Sequence, residues 1–166
     1  KAGDKMFVDY AGVKLEVVDR KTGEVKPVEI FVAVLGASQM TYAEATMTQQ
    51  KQDWIRSNER AMWYFGGVPA AIVPDNLKSG VTLSSRYEPG INDLFDDFAG
   101  YYRTVILPAR AGAPRDKALA ENGVKLVYQR IYAPLRDEIF YSVEEINEAI
   151  LPLLGRHNDK PFQRLG

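Results

Sequence analysis

Apolar residues follow two rhythms along this chain of 166 residues. Up to residue 47 they come in short runs or at every second position, and beyond it they mostly recur at three and four. Met6, Phe7, Val8 and Tyr10 read as a strand built to be buried, with Asp9 in its middle. Val13, Leu15 and Val17 alternate with Lys14 and Glu16, so this stretch buries one face. A glycine-containing turn, RKTGEVK, leads into VEIFVAVLG. That segment is apolar at nearly every position, as expected of a central strand covered on both faces. A short polar turn precedes TYAEATM. The pattern predicts a three-stranded antiparallel meander over the first 47 residues.

The second rhythm predicts helices. Thr48 is placed to cap one running to Phe65, with Trp54, Ile55, Ala61, Met62 and Phe65 on one stripe and Gly66 and Gly67 ending it. AAIV is a short buried fourth strand, left through the loop PDNLKSGV. Pro89 suits a first helical turn, Ile91, Leu94, Phe95 and Phe98 give the next apolar face, and Gly100 closes it. RTVIL reads as a fifth strand and PARAGAPRDK as a basic loop. A long helix is expected from Arg115 to Ala133, stopped by Pro134. Ser142 and Glu145 form a capping box for the last helix, with Tyr141 and Ile146 as its hydrophobic staple. Pro152 should kink or split that helix. A meander followed by alternating helices and strands implies an α/β fold: a mixed sheet of five strands, three antiparallel and two parallel, with helices on both faces.

Length fits one domain, and an apolar fraction of 46% supplies a core. Cysteine is absent, which excludes disulfides and thiolate metal sites. No apolar run approaches the ~20 residues that span a bilayer, and the opening KAGDK is no signal peptide. A first residue that is Lys rather than Met is expected of a fragment of a longer chain. Residues 1–155 are expected to form the folded core, and RHNDKPFQRLG, residues 156–166, a linker leaving it. The net charge of −1 argues against a domain devoted to unaided, tight nucleic-acid binding. Residues 103–136 nonetheless hold seven basic side chains against two acidic ones. That suits a polyanion lying across one face, and equally a solvated helix surface.

Three carboxylates are candidates for a shared site. Asp9 sits among large apolar residues, where an unsupported charge is costly. Asp75 lies just past the fourth strand, and ligands of open α/β sheets collect at strand carboxyl ends. Two close carboxylates repel unless a cation lies between them. Oxygen ligands without cysteine point to Mg²⁺ or Mn²⁺. Glu121, near the start of the long helix, is the third candidate. Ala118, Ala120 and Gly123 beside it permit close approach to the sheet, and Lys117 and Lys125 stand one turn away on either side. Asp75 also has an ordinary reading as a turn residue, and Glu121 as half of an exposed pair with Lys125. Glu16, Glu29, Glu44, Asp96 and Asp97 read as solvated surface, and His157, the one histidine, is assigned no role.

The segments FVDYAG, IFVAVLGASQMTYAEAT, FGGVPAAIVPDNLKSGV, RYEP and LPARAGAPRDKALAENGV resemble, in that order, the catalytic core of IstA-like transposases. These are relatives of retroviral integrases from two-gene insertion sequences, and the resemblance runs from about Gly3 to Leu165. It implies a ribonuclease-H-like fold and a DDE triad of Asp9, Asp75 and Glu121 holding two divalent ions, Mg²⁺ or Mn²⁺. It implies hydrolytic release of transposon 3′ ends followed by strand transfer into target DNA, with no covalent protein–DNA intermediate. Leu119 and Ala120 depart from the Lys-Val pair of the family pattern. Asn76, Lys78, Arg115, Lys117 and Lys125 are the candidate DNA contacts. Implied partners are transposon-end and target DNA, an IstB-like AAA+ ATPase, and further copies of the transposase on paired ends, in the bacterial cytoplasm at the nucleoid. The rival readings are a nuclease of the same fold that does not join ends, and a non-catalytic assembly domain.

Overall fold

The computed structural model describes residues 4–74, 91–107 and 114–159. In chain order they form β1 (Lys5–Tyr10), β2 (Leu15–Val18), β3 (Val25–Leu35), β4 (Thr41–Thr46), α1 (Lys51–Phe65), β5 (Ala71–Pro74), α2 (Ile91–Tyr102), β6 (Val105–Ile106), α3 (Pro114–Val127), α4 (Ala133–Leu135) and α5 (Val143–Asp159).

The long apolar strand β3 is the spine of the sheet. It pairs antiparallel with β4 along one edge and with β1 along the other, and β1 then pairs parallel with β5, and β5 with β6. The sheet has six strands rather than the five expected, because the first arm of the meander is interrupted. Ala11 still donates its N–H to the Ile30 carbonyl at 2.8 Å, but pairing resumes only at Leu15, opposite Val28. The last expected strand, RTVIL, shrinks to Val105–Ile106. The meander, the two parallel strands and the mixed sheet are as the sequence predicts.

Pairing settles which side chains share a face, since residues directly opposite each other project the same way. Asp9 pairs with Val32 and Phe7 with Val34, so these four lie on one face. Tyr10 pairs with Phe31, and Phe31 with Glu44, on the other. On the first face Gly123 of α3 meets Val34, and His157 of α5 reaches the Thr41 hydroxyl. On the second, Ser57 and Arg60 of α1 bind Glu44. The fully buried Trp54 of α1 carries α2, through edge-on contacts with Phe95 and Phe98 at 5.5 and 6.2 Å between ring centroids. Helices therefore cover both faces.

Several helix ends differ from the sequence pattern. Thr48 lies two residues before the N-cap of α1, which is Gln50; its hydroxyl accepts the Gln50 N–H and donates to Asp53. Gly100 lies inside α2, and the helix ends instead at Arg103 in the left-handed conformation, φ 55°. Pro134 does not stop the long helix. A π-helical turn, Tyr128–Tyr132, precedes it, and Ala133 donates to Tyr128, five residues back. The proline's missing donor thus falls on a turn already widened. Pro152 does not split α5, which runs unbroken with that residue on its exposed face. The capping box forms: Glu145 N–H donates to Ser142 Oγ at 3.1 Å, and Glu145 Oε1 accepts the Tyr141 N–H at 2.7 Å. The expected linker begins too early at residue 156, since His157 and Asn158 are anchored to β4.

Candidate active site

Asp9 is 6% exposed, on a strand flanked by β3 and β5. Alternation forces it onto the face that α3 covers, because Phe7 and Val34 are in register and Gly123 rests on Val34. One oxygen of its carboxylate accepts the Tyr10 N–H at 2.8 Å. Its neighbour Tyr10 faces the opposite way, 1% exposed, with its ring edge-on to Phe31. Burial, followed by the charges of Asp53, Glu29 and Glu44, pushes that phenol well above its usual range.

Glu121 is exposed in α3, and Lys125, one turn on, is exposed as well. The helix packs on both β1 and β3. Arg115 and Lys117 lie in the first turns of α3, where only the backbone is described. Asp75, Asn76 and Lys78 fall outside the described residues; the chain is described up to Pro74, which pairs with Val8, one residue before Asp9. Among the described residues no group of three or more His, Asp or Glu side chains is arranged to hold a metal ion. The donors that the sequence proposes are all carboxylates in a chain without cysteine, which fits a hard divalent cation rather than a soft one.

Two acids assigned to solvated surface are not there. Glu44 is 2% exposed. Arg60 donates to both its oxygens, Nε to Oε1 at 2.6 Å and Nη2 to Oε2 at 2.7 Å, while Tyr42 and Ser57 donate at 2.6 and 2.7 Å. The doubly bonded carboxylate raises the Arg60 pKa, and burial followed by the Glu44 charge pushes the Tyr42 phenol up. Glu29 accepts from Gln49 and pairs with Lys14, both at 2.8 Å. The signal for Glu44 was present in TYAEAT, where Tyr42, Glu44 and Thr46 share the face turned toward α1. Beside this cluster an open groove of about 750 Å³ follows the edge of β4 between α1 and α5. Asp53, Glu144 and Glu148 line it, so it repels a polyanion.

His157 is also buried. Arg130 donates to its Nδ1 at 2.8 Å, and a guanidinium cannot accept, so Nδ1 is unprotonated and the proton lies on Nε2, 3.1 Å from the Thr41 hydroxyl. The residue ties the π-helical turn to the sheet.

No protein-family model matches the chain. It is 46% identical over 158 residues to a protein of Sinorhizobium fredii named "Putative transposase y4uI", covering 95% of this chain and 31% of that one. It is 45% identical over 165 residues to the Pseudomonas fluorescens protein named "Putative transposase for insertion sequence IS1162", covering 99% and 29%. The chain thus spans about a third of the length of these relatives. Among solved structures it resembles the catalytic core domain of bovine immunodeficiency virus integrase, with a TM-score of 0.56 and 14% identity over 93% of this chain and 84% of that one. It also resembles a chain of the simian T-cell lymphotropic virus intasome bound to a PP2A regulatory subunit, with a TM-score of 0.59 and 13% identity over 92% and 49%. The fold is that of the integrase catalytic core, ribonuclease-H-like, and the sequence relatives are proteins named as transposases.

Proposed function

We propose that this chain is the catalytic core of an IstA-like DDE transposase, a metal-dependent polynucleotidyl transferase that releases transposon 3′ ends and joins them to target DNA. The observation that carries the reading is Asp9: a buried carboxylate on a central strand of an integrase-type sheet, on the face that α3 covers. Asp9, Asp75 and Glu121 would hold two divalent cations, Mg²⁺ or Mn²⁺. When bound, such ions supply Lewis-acid activation of water or a DNA 3′-hydroxyl and neutralise charge at the leaving oxygen.

The protein's own residues do the rest. Asp9 lies on β1 and Glu121 on α3, the helix that packs on β1, and Asp75 follows Pro74, the last residue of β5, in the sequence. Asp9 is held by the Tyr10 N–H, which limits its freedom before any ligand arrives. Lys125, with Lys78, Arg115 and Lys117, would bind backbone phosphates, and Asn76 would orient a ligand or nucleotide beside Asp75. These contacts fix register on DNA and carry no sequence information. End recognition, contact with an IstB-like ATPase and assembly on paired ends would fall outside this core. A cytoplasmic, nucleoid-associated setting follows from that substrate. No helix among the described residues is long and apolar enough to cross a membrane.

The test uses the full-length transposase, labelled transposon-end duplexes and a target plasmid. Asp9→Asn, Asp75→Asn and Glu121→Gln should each abolish both 3′-end cleavage and joining while the protein still folds. Cleavage without any joined product would mark a nuclease instead. Full activity of any of the three variants would remove that residue from the site, and with Asp9 the whole reading.

A further inference from the structure

We propose that the groove beside β4 docks a cationic amphipathic helix of another protein. The groove, about 750 Å³, runs along β4 between α1 and α5. In the sheet β4 is separated from β1 by β3, so this surface is distinct from the candidate site at Asp9. Its α5 wall is a stripe: Glu144, Glu148 and Leu151 stand at i, i+4 and i+7, on one helix face, and all three line the groove. Glu144 has a local reason to be acidic, since it lies in the first turn, where the helix dipole favours a carboxylate. Glu148 lies beyond that turn, and like charges four residues apart on a helix repel. Asp53 of α1 adds a third carboxylate.

These charges have no internal answer. Among the described residues none of the three acids forms an ion pair, and Arg60, the one basic side chain lining the groove, is bonded to Glu44. Beside them Met47 and Leu151 are about half exposed. The complement of this surface is cationic and apolar at once. A polyanion is repelled. An added strand finds the main chain of β4 taken, because Asn147 bonds both the N–H and the carbonyl of Ala45, and Asn158 both groups of Thr41. A second copy docked through the same groove about a two-fold axis would set these acids against their own duplicates. A helix laid between two helices meets every condition, with Lys or Arg opposite Glu144 and Glu148 and a large aliphatic side chain against Leu151 and Met47.

The experiment titrates full-length transposase into a fluorescein-labelled peptide of leucine, lysine and alanine, about five helical turns long, with the leucines on one stripe and the lysines flanking it. Fluorescence anisotropy reads binding. The peptide should bind saturably. Glu144→Gln/Glu148→Gln should weaken it about tenfold, and Leu151→Ser at least about tenfold. In about 0.5 M salt the wild type and the double glutamine variant should converge, because the charge contribution is screened. Both variants should keep the wild-type circular dichroism spectrum and 3′-end cleavage. Should one lose its fold, the other decides. The proposal is overturned if the striped peptide does not bind, if a peptide of the same composition without the stripe binds as tightly, or if the variants bind it like the wild type. A smaller assembly of either variant in sedimentation velocity would assign the groove to a second copy and overturn it too.

Discussion

Arg60 grips Glu44 from the surface. Its guanidinium reaches in from a side chain 52% exposed to a carboxylate 2% exposed, with N···O distances of 2.6 and 2.7 Å. Ser57 and Tyr42 complete the shell, so this buried charge is matched on every side that the sheet and α1 present. The pair lies on the face opposite Asp9, and its work is to dock α1 on β4.

Removing the cation should therefore hurt more than removing the pair. Arg60→Met strands a buried carboxylate and should cost about 3 kcal/mol, the lower end expected because Arg60 is half in water. Arg60→Met/Glu44→Gln should regain part of that loss, since the amide carries no charge. Urea unfolding of the three proteins measures both values, and a single variant as stable as wild type would contradict this account.

Metal should stabilise the folded protein through the proposed carboxylates. At 100 times the dissociation constant, a ligand that binds only the folded state adds about 2.7 kcal/mol. Mn²⁺ should accordingly raise the melting temperature of the wild type and leave Asp9→Asn unmoved. In metal-free buffer Asp9→Asn should melt no lower than wild type, because repulsion among the acids is relieved. Differential scanning fluorimetry with and without chelator reads both.

The outer edge of β4 is closed by side chains rather than by a strand. Asn147 accepts the Ala45 N–H at 2.6 Å and donates to its carbonyl at 3.1 Å, and Asn158 does the same for Thr41 at 2.9 and 2.8 Å. Asn147→Ala leaves two backbone groups without these partners and should cost about 1–3 kcal/mol. Because an uncovered edge invites pairing between chains, the variant should also aggregate sooner on heating, which light scattering would detect.

Alkaline pH should loosen α2 from α1. Tyr102 donates to Glu59 at 2.5 Å, and that bond, followed by burial, pushes its phenol up to about 12. Its folded-state pKa exceeds the unfolded value of about 10, so the contribution is whole below pH 10 and is lost as pH rises toward 12. Tyr10 and Tyr42 are raised too and add to the same slope. Tyr102→Phe should flatten melting temperature against pH over that window; an unchanged slope would assign the effect to the other two phenols.

Local chemistry was legible where it is self-contained. The capping box at Ser142 and Glu145, the uninterrupted apolar run of β3, and the stripe carrying Trp54 need only neighbours in the chain to act. So did the oddity of Asp9, since a charge amid Met6, Phe7, Val8 and Tyr10 demands an explanation anywhere. The helix through Pro134 was not legible, because a π-helical turn depends on what α3 packs against and not on proline alone. Glu44 was misjudged, and the structural contacts of His157 were not foreseen, for a related reason. Whether a polar residue is solvated or buried depends on partners far away in the chain, here Arg60 for one and Arg130 and Thr41 for the other.

The order of elements, the acids available and the absence of cysteine belong to the sequence by itself. The tertiary structure decided which face each residue occupies, through the registers Asp9–Val32 and Phe7–Val34, and how near α3 may come, through the bare Cα of Gly123. The division has one physical cause: periodicity and capping act between residues a few positions apart, whereas register and helix depth are set by contacts between residues 23 and 27 apart in the one case and 89 apart in the other.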